Sequence, residues 1–189
     1  MGPVAKIRHA ALLMALSLVV GACVGATTTT NVYYDKVGIP EIFRYAAIDR
    51  DFLTVIHGNP SAGSKAAFDA RVIAATHGNA RGLPTNFTTT PSASARDGYR
   101  MVMVFSGDRY MSAKAACGDL DSTAIKPISG RVEIQAAFCY DDDVLSQVHV
   151  AYPQGAPALE DAVTQVVLSL FPLYDPTIDK GSNNDTLMQ

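Results

Sequence analysis

From Arg131 to Tyr152 the chain alternates twice, and that pattern constrains the fold more than any other feature. In Arg131 to Tyr140 (RVEIQAAFCY), Val132, Ile134, Ala136 and Phe138 share one face of an extended strand, and Arg131, Glu133, Gln135 and Cys139 share the other. Asp141-Asp142-Asp143 makes a turn. Val144 to Tyr152 (VLSQVHVAY) then returns with Val144, Val148, Val150 and Tyr152 inward and Gln147 and His149 outward. The expected result is an antiparallel hairpin with one buried and one polar, wettable face, and the buried face needs helices to cover it.

Those helices are legible. Ile39 to Ala47 carries Pro40 in its first turn and apolar residues at 39, 42, 43 and 46. Ser64 to His77 starts at a Ser cap and stops at Gly78. Pro157 to Phe171 has Glu160 and Asp161 at its N-terminal end and a stripe of Leu159, Val163, Val166 and Leu170. Phe52 to His57 and Tyr99 to Ser106 are apolar, β-branched runs bounded by turn formers and read as strands. Residues 79–98 hold no periodicity and read as a long loop. The expectation is an α+β fold: a two-layer sandwich with a mainly antiparallel sheet of about four strands and helices on one face. Its order is β-α-β-β-β-α after a short N-terminal helix.

The 15 Lys and Arg residues are spread thinly over 189 positions and the formal charge is −3, so the chain lacks the basic footprint that phosphate neutralisation requires. No nucleic-acid partner is expected.

The first 23 residues carry an address. Lys6 and Arg8 precede an uncharged run, Ala10 to Val20, whose eleven residues are too few to span a bilayer as a helix, which takes about 20. The run ends at Val20-Gly21-Ala22-Cys23. Two small residues directly before a cysteine resemble the lipobox of bacterial lipoprotein precursors. The resemblance implies removal of residues 1–22 as a signal peptide, acylation of Cys23 and attachment to the bilayer. With Val24 in place of the inner-membrane Asp signal, it also implies the outer membrane, facing the periplasm. Residues 23–35 then read as the lipidated Cys and a flexible tether, 36–173 as one domain and 174–189 as a loose tail. Losing the leader removes two basic residues and no acid, which takes the charge to −5.

With Cys23 committed to lipid, Cys117 and Cys139 remain as an even pair in an oxidising compartment, where a disulfide is expected. A catalytic thiol is the alternative, but neither cysteine has a His or a basic setting beside it in sequence. Because Cys139 falls on the polar sheet face, the segment around Cys117 must cross that face or its edge.

The remaining candidates are sparse. Gly58 to Lys65 (GNPSAGSK) resembles a phosphate loop, yet Ser64 and Lys65 stand in the reverse of the required order and Pro60 deletes a backbone donor, so no nucleotide is expected. His57, His77 and His149 show no metal-binding spacing, and neither metal nor cofactor is expected. In the long loop, Arg81, Phe87 and Arg96, with Gln147 and His149 on the outer sheet face, are candidates for binding an envelope protein or a glycan. The sequence therefore reads as a membrane-tethered binding or scaffolding module. The rival reading is an envelope hydrolase using His57 or Ser106 with an Asp.

Overall fold

In the computed structural model, which describes residues 27–106, 112–118, 120, 130–154 and 158–177, the chain runs β1 (Thr28–Tyr34), α1 (Ile39–Ala47), β2 (Arg50–His57), α2 (Lys65–Thr76), β3 (Thr85–Thr88), β4 (Tyr99–Ser106), α3 (Ala113–Cys117), β5 (Arg131–Tyr140), β6 (Asp143–Pro153) and α4 (Ala158–Leu170). The class is α+β. Among the described residues one mixed sheet of six strands takes the order β1-β6-β5-β4-β2-β3. The β5–β6 hairpin, the β4–β5 pair and the β1–β6 pair are antiparallel, whereas β2 pairs in parallel with both β4 and β3. No helix among the described residues is long and apolar enough to cross a membrane.

The expected four-strand sheet is thus extended at both edges. β1 comes from Thr28–Tyr34, seven residues that read as tether; the uncharged, β-branched and aromatic run pairs with β6 once that edge is offered to it. β3 is four residues inside the long loop, too short for its alternation to be read, and it docks Phe87 beside Phe52. The start of the stretch read as a loose tail also folds back, because the Asp175 carboxylate accepts the Gly38 backbone N–H.

One sheet face carries the main core. Met101, Met103 and Phe105 from β4 join Val132, Ile134, Ala136 and Phe138 from β5 and Val148, Val150 and Tyr152 from β6 beneath α1, α2 and α4. Five phenylalanines meet there: Phe43, Phe52, Phe87, Phe138 and Phe171.

The other face is not the open polar surface that the alternation predicts. α3 lies across it, burying Ala113, Ala116 and Cys117 against Val102, Val104, Ala137 and Cys139. Cys117 and Cys139 form a disulfide with Cα atoms 5.6 Å apart. Helices therefore cover both faces, and five residues of helix leave no periodicity to read. Val144 corrects the inward set for a different reason. The register shifts between Phe138 and Cys139, so Leu145 is an extra residue and Val144 falls on the α3 face.

Candidate functional site

The strands bring three of the candidate residues to one face and one end of the sheet. Register places His57 beside Val104, Val104 beside Gln135 and Gln135 beside His149, which makes a row across β2, β4, β5 and β6 on the α3 face. One step along, Ser106 is opposite Glu133. Glu133 and Gln135, expected to be wetted, are only 4% and 8% exposed. The carboxylate of Glu133 is met by His149, whose Nε2 approaches Oε2 at 2.6 Å, off the line of an ideal hydrogen bond. A buried carboxylate needs such a partner, since its desolvation is otherwise costly.

Among the described residues, the register of this row does not line up a Ser–His–acid relay. A Ser–His–acid relay needs the imidazole between hydroxyl and carboxylate. Here the acid is on the central strand, Ser106 is one strand away on β4 and His149 is one strand away on the other side, on β6. Strands about 4.8 Å apart separate those two backbones by roughly 10 Å, and His57 is a further strand removed from His149. Among the described residues, the acid at the row is Glu133.

The phosphate-loop-like turn is likewise committed elsewhere. Ser64 caps α2 by accepting the Ala67 N–H, while the Lys65 ammonium turns back to the Ile56 carbonyl and to Asp69 at 2.6 Å. Among the described residues, no group of three His, Cys, Asp or Glu side chains is placed to hold a metal ion.

The proposed binding residues separate. Phe87 is a core residue, 1% exposed. Arg81 donates from Nε and Nη2 to the carbonyls of Phe171 and Leu168 at the end of α4, where a cation suits the helix dipole. Gln147 lines an open groove between α3 and β1 together with Tyr33, Asp35, Lys114 and Asp142. Arg96 alone of the loop residues belongs to an exposed cluster. Its guanidinium sits 3.9 Å from the centroid of the Tyr45 ring and its Nε donates to the Tyr45 carbonyl. Tyr99 and Tyr140 continue the cluster, their ring centroids 4.7 Å apart. Burial, then the neighbouring Tyr140 and Tyr45 hydroxyls, push the Tyr99 phenol above its usual range. Gly98 is fixed beneath it, since at φ +80° a Cβ would stand 2.8 Å from Asp141 Oδ1. Tyr45 and Tyr140 escaped the sequence reading because aromatic residues from α1, β4 and β5 become neighbours only through topology.

The loop that presents Arg96 is pinned rather than loose. Asp51 accepts the Ser92 N–H at 2.7 Å and the Asn86 amide at 2.6 Å, and its own N–H donates to Ser94 Oγ. The Ser92 backbone donor, then Asn86, hold the Asp51 carboxyl below the ordinary aspartate range. A carboxyl whose pKa is lowered in the folded state contributes above its unfolded pKa and stops contributing as pH falls through the folded one. The Ser92 amide resonance is therefore expected to titrate with a midpoint below the ordinary aspartate value of about 3.9, and Asp51→Asn should abolish that titration. A midpoint at or above the ordinary value would remove the hub.

No protein-family model matches the chain, and no curated protein matches it in sequence. Among solved structures, it is similar to the PelC dodecamer from Paraburkholderia phytofirmans, with 11% identity and a TM-score of 0.39 over 80% of this chain and 99% of that one. A point variant of that dodecamer in another crystal form gives 12% identity and a TM-score of 0.35 over 80% of this chain and 98% of that one. A likeness this remote assigns no function.

Proposed function

We propose that the protein is a bacterial envelope lipoprotein, acylated at Cys23, whose α+β domain binds or scaffolds another envelope component, a protein or a glycan. The observation that carries the reading is the sequence Val20-Gly21-Ala22-Cys23 at the end of an eleven-residue apolar run. Cys23 lies outside the described residues, and the first strand begins five residues after it, at Thr28. The buried Cys117–Cys139 disulfide is compatible with an oxidising compartment such as the periplasm. The binding role is supported by the cluster of the exposed Tyr45 and Tyr140 with the half-buried Arg96 at the Asp141 end of the sheet. By the family rule for Val24, the site of attachment is the periplasmic face of the outer membrane.

The test is the intact mass of the protein purified from bacterial membranes. The expected product starts at Cys23 and carries a diacylglycerol increment. Cys23→Ala should leave an unprocessed precursor and move the protein out of the detergent-soluble membrane fraction or strand it there with its leader attached. A mature wild-type chain without the increment overturns the reading.

A further inference from the structure

A half-open pocket of about 250 Å³ lies where α2 and α4 begin, at the end of the β5–β6 ladder remote from the tyrosine cluster. Its floor is buried and mostly apolar. Phe68 from α2 and Leu159 from α4 meet Val132 and Tyr152, which are register partners on β5 and β6. Its rim is polar, with Ser61, Arg71 and Gln154, and the Gln154 amide donates to the Pro60 carbonyl at 3.2 Å. Every residue of these walls is a described one. Arg71 is the one charged side chain among them, and it is neutralised within the chain: its Nη2 and Nε donate to Glu160 Oε1 at 2.6 and 3.2 Å. The other described charges near this end belong elsewhere. Lys65 turns to Asp69 and the Ile56 carbonyl, Arg131 approaches Glu133 on the α3 face, and Asp161 is exposed on α4.

Tyr152 is 2% exposed, yet among the described residues no hydrogen bond engages its hydroxyl. Burial, above the opposed effects of Arg71 and Glu160, pushes its phenol well above the usual range, so the group stays protonated and can both donate and accept. A desolvated hydroxyl without a partner is costly. Water is a poor occupant of such a floor, because a buried water needs two to four polar partners and the floor offers one hydroxyl. An apolar cavity of about 150 Å³ already takes a benzene ring, so this pocket has room for a ring with a substituent. We infer that the pocket binds a small uncharged ring compound carrying one hydroxyl or carbonyl group, a role that does not depend on acylation of Cys23. The ring lies against Phe68, Val132 and Leu159, and its oxygen meets Tyr152. Charged analogues are disfavoured by the same walls. A carboxylate must either displace Glu160 from Arg71 or stay unpaired against apolar side chains, and an ammonium meets a guanidinium at the rim.

The probe is 4-fluorophenol, followed by fluorine NMR against the full-length protein purified from membranes and held in lipid nanodiscs. Empty nanodiscs give the partition of the probe into lipid. The expected result is a saturable shift above that background with a Kd of about 1 mM or tighter, within what a ligand of this size can supply. Tyr152→Phe keeps the shape of the floor and removes only the hydroxyl. It should weaken 4-fluorophenol about fivefold to tenfold and leave fluorobenzene unchanged. The charged analogues 4-fluorobenzoate and 4-fluorobenzylamine should each bind at least about tenfold more weakly than the phenol. Leu159→Phe fills the space and should abolish the shift in protein whose far-UV circular dichroism is native; should that variant not fold, Tyr152→Phe still decides. The inference is overturned by any of four results: no saturable shift above empty nanodiscs, equal affinity in Tyr152→Phe, a charged analogue that binds as tightly as the phenol, or undiminished binding in folded Leu159→Phe.

Discussion

Replacing Phe43 by alanine is expected to cost about 3–5 kcal/mol of folding stability, the range for deleting a fully packed phenylalanine. Phe43 is 2% exposed and is the only contribution of α1 to the aromatic core. Its ring stacks on Phe171 with centroids 3.8 Å apart and meets Phe52 and Phe138 edge-on at 5.5 and 6.1 Å. Truncation removes one ring from a set of five, and the four survivors belong to β2, β3, β5 and the end of α4. Three of these are fixed by one sheet and the fourth by the end of a helix, and they cannot collapse together into the void. Against a typical total of about 5–15 kcal/mol, the loss is a large fraction. Urea unfolding followed by far-UV circular dichroism measures it as a lowered midpoint with an unchanged slope. Phe43→Leu, which keeps most of the apolar volume, should fall between the two. A loss below about 1 kcal/mol for Phe43→Ala would mean that α1 packs loosely and that the core is organised without it.

Where single elements have a strong period, sequence and structure agree closely. Ile39–Ala47, Tyr99–Ser106 and Arg131–Tyr140 have the limits that their caps and alternation predict, because those signals are local. Pairing is not local. Thr28–Tyr34, uncharged, β-branched and aromatic, reads as spacer until β6 offers it an edge, and Thr85–Thr88 becomes a strand only beside β2. The inward face of β5 is correct along its length, whereas β6 fails at Val144 because one extra residue, Leu145, reverses every side chain before it. The same limit governs the candidate site. His149 is on the predicted face, but its approach to the buried Glu133 carboxylate is set by the pairing of β6 with β5. Arg81 and Arg96 look equivalent in the loop. One turns to the α4 carbonyls and the other to Tyr45, a difference set by helices more than 35 residues away in sequence.

The Cys117–Cys139 bond is the second feature with a large expected effect, and here sequence arithmetic and structure meet. It closes a separation of 22 residues, for which loop-closure entropy gives about 3 kcal/mol of stabilisation through restriction of the unfolded chain. The structure adds a consequence that arithmetic cannot reach. α3 has five residues, far too few to persist as an isolated helix, and it holds its place through the disulfide, the Ser112 cap and an Arg100 guanidinium that donates to the Cys117 carbonyl. Reduction should therefore free α3 from the sheet and uncover Val102, Val104 and Ala137, which are fully buried in the oxidised protein. The expected result is a fall in Tm of about 10 °C in reductant for a domain of this size. Paired Cys117→Ala and Cys139→Ala substitution should match it, and the freed surface should bind a hydrophobic dye at temperatures below the transition. An unchanged Tm in a sample whose two thiols are shown to be titratable would mean that α3 is held by its packing alone. The disulfide would then contribute nothing to the stability of the second core that α3 forms with Val102, Val104 and Ala137.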